Sequence, residues 1–328
     1  MNKCKILSQK HHKVMIGILL AAMLVFPLMG FSQYVYRIAV VSVLYAILAM
    51  SLNLIAGVAG QISLGHIAFY GIGAYTSALL CVNFGVSVWV GILAAFVVSM
   101  LFGLLIAIPT LKLSGGYLAI LTMSFAEIIR LILLNWTSVT RGPMGILNIP
   151  KPSLFGYTIK SSGAFLYLVL TVAIIVYIGL HNLIHSRFGR NLQALRDDEI
   201  SSESMGINVY RYKVIAFVIS TGVAGVAGAL FASYMEFIDP SSFISDESTV
   251  ILSMVVLGGM GNMNGSIIAA ALLTILPEAL RSFSDYRMLV YGVVLVAMML
   301  LKITDWAAIK RSLKTALNFK TGGKESRT

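Results

Sequence analysis

Apolar runs of 17 residues or more recur along the chain, each long enough to cross a hydrocarbon core of about 30 Å. No other feature constrains the fold as much. Lipid offers no partners for backbone N–H and C=O groups, so runs of this length must close their hydrogen bonds internally as helices. Only 11% of the residues are charged, against roughly a quarter in a water-soluble domain. The fold class is therefore all-α, a polytopic integral membrane protein with one membrane domain and no separate soluble domain. The pattern predicts about ten spans: 14–30, 37–58, 62–83, 88–110, 115–136, 164–184, 213–235, 246–260, 264–281 and 286–302. The two short segments within 246–281 also fit a single broken or re-entrant element.

An even number of spans puts both termini on one side, and charge says which. Lys3, Lys5, Lys10 and Lys13, Lys112, the loop 185–213 and the stretch from Lys302 together hold 17 of the 24 Lys and Arg on one face of this topology. By the positive-inside rule that face is cytoplasmic. The chain divides into a tail (1–13), a transmembrane domain (14–302) with a cytoplasmic loop at 185–213, and a basic tail (303–328). The net charge of +11 is thus a product of topology, and it gives no reason to expect nucleic acid. The basic start followed by the run 14–30 looks like a secretory signal, but no small-x-small cleavage site follows, and an uncleaved first helix is expected. The opposite face holds Glu236, Asp239, Asp246, Glu247 and the Pro/Gly/Ser-rich segment 137–163. Cys4 and Cys81 fall on opposite sides, so no disulfide is expected. His11-His12 reads as a solvated pair, and no Cys/His spacing suits a metal.

Two spans are interrupted. One break is Gly60-Gln61-Ile62-Ser63-Leu64-Gly65-His66; the other, within Leu257–Ser266, carries Gly258, Gly259, Gly261, Asn262 and Asn264. Irregular backbone survives at membrane depth only where protein or a water-filled cavity covers it. Gln61, Ser63, Asn262 and Asn264 would serve freed backbone groups or a substrate, as broken helices of transporters do. These residues are candidates for a pathway or gate. The plainer alternative is that both segments are short cytoplasmic turns. Both breaks run the same way across the membrane, which suggests an internal duplication.

Glu127 and Arg130, three apart within a span, share a helix face and can pair. Their roles divide between a structural ion pair and gating or partner docking, since charges inside a span are costly. With no chain of buried carboxylates, a proton relay is poorly supported, and His66 reads as a structural histidine. Thr221, Gly225 and Ala229, Ala224 and Gly228, and Gly71, Gly73, Ala74 and Ala78 form small-residue faces. Such faces pack helices within one chain or against a second subunit.

The loop 185–213 is the longest charged stretch outside the tails. Asn191–Met205 can form a helix, stopped at Gly206; it either lies on the membrane or docks a partner. This loop, "RFGRNLQALRDDEISSESMGI" followed by "YKVIAFVISTGVAGVAGAL", resembles the permease subunits of ABC importers for branched-chain amino acids, of the LivM type. "LNLIAGVAGQISLGHIAFYGIGAYTSALL", "GGYLAILTMSFAEIIRLIL", "TRGPMGI", "FIDPSSF" and "MVVLGGMGNMNGSIIAAALLTILPEALR" resemble the same family over about residues 40–300. The resemblance implies that the loop is a coupling helix seated on a separate ATPase, with Arg190, Arg196, Asp198, Glu199, Glu203 and Gly206 as coupling residues. Serines stand after Glu199 and Glu203 where such importers commonly carry alanines.

The implied assembly is a homologous second permease, two cytoplasmic ATPases and an extracytoplasmic binding protein in a bacterial inner membrane. Branched-chain amino acids are the implied cargo, and urea or short amides the alternative. The chain carries no G-x-x-x-x-G-K-[ST] loop, G-x-S-x-G elbow or H-E-x-x-H helix. It is read as a transport subunit, not an enzyme, with no cofactor of its own and ATP bound by its partners. A secondary transporter driven by an ion gradient is the reading from another class; it would need midplane ionisable residues, which are scarce apart from Glu127–Arg130.

Overall fold

The computed structural model describes residues 32–110, 116–154, 157–159 and 161–279, with 292, 293 and 296. The predicted spans 14–30 and 286–302 and both tails lie essentially outside these residues. The chain forms two compact units that meet in sequence at Ile275 and Leu276. Of the second, only Leu276–Ala279 and the helical residues 292, 293 and 296 are described.

The other eight predicted spans are helices. In chain order the long ones are α1 (Gln33–Leu52, continued as a π turn over Asn53–Val58), α2 (His66–Phe84), α3 (Val88–Thr110), α4 (Gly116–Asn135), α6 (Ser162–His185) and α9 (Val209–Met235). A single turn, α5 (Thr137–Thr140), follows α4, while α7 (Arg187–Asp197) and α8 (Glu199–Ser204) lie between α6 and α9. The last two are α10 (Ser245–Gly258) and α11 (Met263–Ala279). Among the described residues six helices are long and apolar enough to cross a membrane, counting α1 with its π turn. α10 and α11, at 14 and 17 residues, are separate helices of about 21 and 26 Å, shorter than a bilayer core.

α9 lies at the centre of the bundle, packed on α3, α2 and α1. Its small residues make this possible. A Cβ on Gly228 would overlap the Tyr70 carbonyl of α2, and one on Gly73 would overlap the Gly225 backbone. On the α3 side, Gly225 lies against Ser99 and Thr221 against Gly103. The small-residue faces therefore pack helices within this chain: Thr221, Ala224 and Ala229 are fully buried. In an apolar surround, close backbone approach replaces the hydrophobic drive that water would supply.

Contacts between helix ends sort the connections into two groups. Tyr210 of α9 donates to the Ile108 carbonyl near the end of α3 (3.1 Å), on the side where α7 and α8 lie, here termed the loop end. At the opposite, cap end, β1 (Ile146–Leu147) pairs antiparallel with β4 (Phe237–Ile238), and Lys151 bridges Glu236 at 2.7 Å. A hairpin of β2 (Ser153–Leu154) and β3 (Tyr157–Thr158) continues this cap, and Trp89 at the start of α3 donates to the Ser153 carbonyl (2.7 Å). The basic loop 185–213 lies at one end and Glu236 with the segment from Thr137 at the other, as charge suggests, but Asp246 and Glu247, expected beside Glu236, lie instead in the first turn of α10, where Glu247 meets Tyr45 midway along α1. Among the described residues the cap is the one part of the predicted all-α fold that holds β structure.

Gly228→Leu should lower thermal stability by about 1–3 kcal/mol or more, because overpacking forces helices apart. Gly179→Ala, where a Cβ meets open space, should leave it unchanged or slightly raised. Detergent-solubilised melting curves check both.

Candidate functional site: a junction of two helix breaks and the charged loop

The π turn closing α1 is the origin of the site. A π turn bonds five residues back, so it widens the helix and releases carbonyls. Ala59 N–H reaches the Leu54 carbonyl (3.2 Å), and Gln61 N–H reaches that of Ile55 (3.0 Å). Gly60 then turns the chain with φ +72°, a conformation that strains any residue with a Cβ. From there 61–65 runs back into the bundle instead of looping outside it. Gln61, Ser63 and His66 are buried. The predicted start of this span at 62 moves to His66 for that reason.

Side chains satisfy the irregular stretch. Leu64 N–H donates to Thr122 of α4 (3.0 Å), Gly65 N–H to Ser63 (3.4 Å), and Ile67 N–H to Ser248 of α10 (3.1 Å). A Cβ on Gly65 would overlap the Thr122 carbonyl. His66 Nε2 and Ser51 Oγ lie 2.6 Å apart. Ser51 Oγ also reaches the Leu48 carbonyl (2.8 Å), so the imidazole and the α1 backbone share one hydroxyl. Ser220 of α9 in turn donates to the Ser51 carbonyl (2.5 Å). His66 is thus bound into the junction of α1, α2 and α9.

The second break meets the first. Gly259 and Gly261 have φ of +101° and +85°, and Asn53 of the π turn accepts from Gly261 N–H (2.8 Å). Gly57 and Gly261 are in such close contact that a Cβ on Gly57 would overlap Gly261 N. Gly258 and Gly265 bring α10 and α11 into backbone contact. Asn262 caps α11 through Gly265 N–H (3.3 Å), and Asn264 accepts from Tyr177 of α6 (2.8 Å). The two breaks differ in kind: 61–65 is largely buried, whereas Met260, Gly261 and Asn262 form an exposed turn.

The charged loop completes the junction. Arg196, at the end of α7, donates through Nη1 to the Gly57 carbonyl. Its stem covers Gly60, and its guanidinium lies against Gly261. One side chain therefore touches both breaks. The expected single helix 191–205 is instead two, because Asp198 ends α7 and caps α8, accepting from Ser201 N–H (3.0 Å) and Oγ (2.8 Å). These bonds, the backbone one foremost, hold the Asp198 carboxyl below its ordinary range. Ser186 and Asn208 cap α7 and α9 in the same way, and Gly206 (φ +84°) stops α8 as expected.

The remaining predicted residues lie apart. Arg190 donates to the His185 carbonyl (2.9 Å). Glu199 turns inward to Lys213 (2.6 Å), tying α8 to α9, while Glu203 is exposed beside Ile200 and Met205, both more than three-quarters exposed. Glu127 and Arg130 form the expected pair (2.5 Å), with Ser245 of α10 donating to Glu127 (3.4 Å). Sequence reasoning missed the parts played by Asn53, Thr122 and Lys213. Asn53 carried a signal, as an amide inside the apolar run "AILAMSLNLIAG". Among the described residues no group of His, Cys, Asp or Glu suits a metal.

Apolar helices of spanning length, gathered around two irregular turns that a charged loop touches, define a multi-pass helical membrane protein. Residues 34–300 match the family model for the branched-chain amino acid transport system permease component, and the chain belongs to that family. It is 40% identical to the high-affinity branched-chain amino acid transport system permease protein LivM of Salmonella typhimurium over 316 residues, covering 89% of this chain and 74% of the relative. Identity to the Escherichia coli K12 LivM is 39% over the same shares. LivH of Salmonella typhimurium is 26% identical, covering 84% of this chain and 94% of that one. No solved structure matches.

Asn53→Leu keeps the bulk but leaves Gly261 N–H without its acceptor. It should cost about 1–3 kcal/mol, read as a lower melting temperature than that of Asn262→Leu at the exposed turn.

Proposed function

We propose that this chain is a permease subunit of an ATP-driven importer that moves branched-chain amino acids across a bacterial inner membrane, with both termini cytoplasmic. A homologous permease shares the pathway; of two ATPases one seats on the α7–α8 loop of this chain and the other on the second permease, and an extracytoplasmic binding protein meets the cap. ATP is bound by those partners. The chain has no phosphate loop of its own and works as a transport subunit. The observation that carries this reading is Arg196, which joins the loop to both helix breaks.

Family membership supports the cargo and, through the LivM and LivH likenesses, the paired permease. Exposed Ile200, Glu203 and Met205 give the loop an outward face of apolar groups around a carboxylate, suited to a groove on a partner. Closure of the ATPases moves α7 and α8. Arg196 passes that motion to the Gly57 carbonyl and the Gly261 turn, and hence to α1, α2, α10 and α11. Gly60, Gln61, Ser63, Gly65, His66 and the Gly258–Asn264 segment form the gate in this mechanism.

Radiolabelled leucine uptake tests the cargo. Cells lacking the chain should lose uptake, the plasmid-borne chain should restore it, and excess urea should not compete; competition by urea would shift the cargo to small amides. Arg196→Ala should leave the ATPase bound yet lower uptake about tenfold or more, as loss of a charge-assisted hydrogen bond implies. Glu203→Arg should instead weaken ATPase association on a pull-down while the permease stays folded. Gly65→Leu and Gly261→Leu should reduce uptake more than membrane insertion; normal uptake by both would count against the gate.

A further inference from the structure

α10 begins in the middle of the bundle, not at its cap end. Tyr45, midway along the 26-residue helix Gln33–Val58, donates its hydroxyl to Glu247 (2.7 Å). The next residue, Ser248, accepts from Ile67 N–H at the start of α2 (3.1 Å). The chain reaches this depth through the turn Pro240–Phe243, where Phe243 is buried against Tyr70, Tyr75 and Phe231.

The two faces of α10 differ in chemistry. Ser248, Ile251, Met254 and Val255 are buried. On the open face Asp246 and Thr249 are exposed and Ser253 half-buried, three and seven residues on from Asp246, which places them in one stripe. The stripe descends toward Gly259–Asn262 and the Arg196 junction. The exposed face of α3, by contrast, is aliphatic: Val90, Leu93, Val97, Leu101 and Leu105. Lipid selects the second kind of face. A carboxylate at mid-depth is costly against lipid and marks a water-filled route or a charged partner.

Asp246 has no cation partner among the described residues. The N-terminus of α10 eases its charge but gives no reason for the hydroxyls below it. Beside the start of the stripe, the Ser245–Glu127 contact (3.4 Å) brings in the α4 pair. Glu127 occupies Nε and Nη2 of Arg130, and among the described residues Nη1 makes no hydrogen bond. One carboxylate thus lacks a cation and one guanidinium edge lacks an anion, the complement of a zwitterion.

We propose that Asp246, Thr249 and Ser253 line the cargo route, with Asp246 taking the α-ammonium group of the amino acid and the open edge of Arg130 its carboxylate. This assignment rests on the amino-acid permease reading above. The test uses the whole transporter in vesicles, with the chain's native cysteines replaced by serine. Thr249→Cys and Ser253→Cys should react with a membrane-impermeant methanethiosulfonate much faster than Leu93→Cys on the aliphatic face of α3. Asp246→Asn should assemble normally but lower leucine uptake about tenfold or more, and Asp246→Glu should restore most of it. Cysteines at 249 and 253 as unreactive as Leu93→Cys, or wild-type uptake by Asp246→Asn, would overturn the assignment. Leucine uptake by the unsubstituted transporter separates the two failures. If it is intact, unreactive cysteines sink the stripe alone; if it is absent, the amino-acid permease reading falls and the assignment with it.

Discussion

The π turn at Asn53–Val58 frees backbone groups inside an apolar bundle, and most of the junction exists to satisfy them. The Gly57 carbonyl finds Arg196, Asn53 reaches across to Gly261, and Thr122 and Ser248 serve the amides of the returning chain. Two of these bonds tie the charged loop and the Gly261 turn to the end of α1, and two tie α4 and α10 to the returning chain and the start of α2. Because an unsatisfied backbone group in such surroundings costs several kcal/mol, the chain holds these elements in one arrangement. A rearrangement of any one must re-satisfy the others.

Rigidity around the junction has a different source. α9 carries almost no polar anchor to α2 and α3; it is held by backbone-to-backbone approach at Gly73, Gly225 and Gly228 and by Ser99 and Thr221 at the same crossing. Close-packed backbones deform little. The breaks at Gly60 and Gly261 lie outside this crossing, and Arg196 touches both. Lys213 adds a second tie between loop and bundle through Glu199, so α7 and α8 each have their own connection to the membrane helices.

The helices were legible because apolar run length alone predicts them, and eight of the ten expected segments coincide with helices in the described residues. The glycine clusters, the charged loop and the Glu127–Arg130 pair were also plain in the sequence. Their convergence was not: Arg196 lies 139 positions from Gly57, and Gly261 lies 208 from Asn53, distances at which one sequence carries no pairing information. The reading of 59–65 as an outside turn or a buried segment also needed the fold, since the same glycines suit both; burial of Gln61 and Ser63 decided it. The split at Asp198 was missed because helix propensity runs through it, while the cap on Ser201 that causes it was a local signal available to be read.

The central claim is that this chain is one part of an assembly worked through its α7–α8 loop. The most direct measurement is gentle-detergent purification of the tagged chain from its native membrane, with mass-spectrometric identification and quantification of what remains bound. The account predicts a second permease and a P-loop ATPase in stoichiometric amounts. A chain that purifies alone, stable and monodisperse, would contradict it and point instead to a transporter driven by an ion gradient.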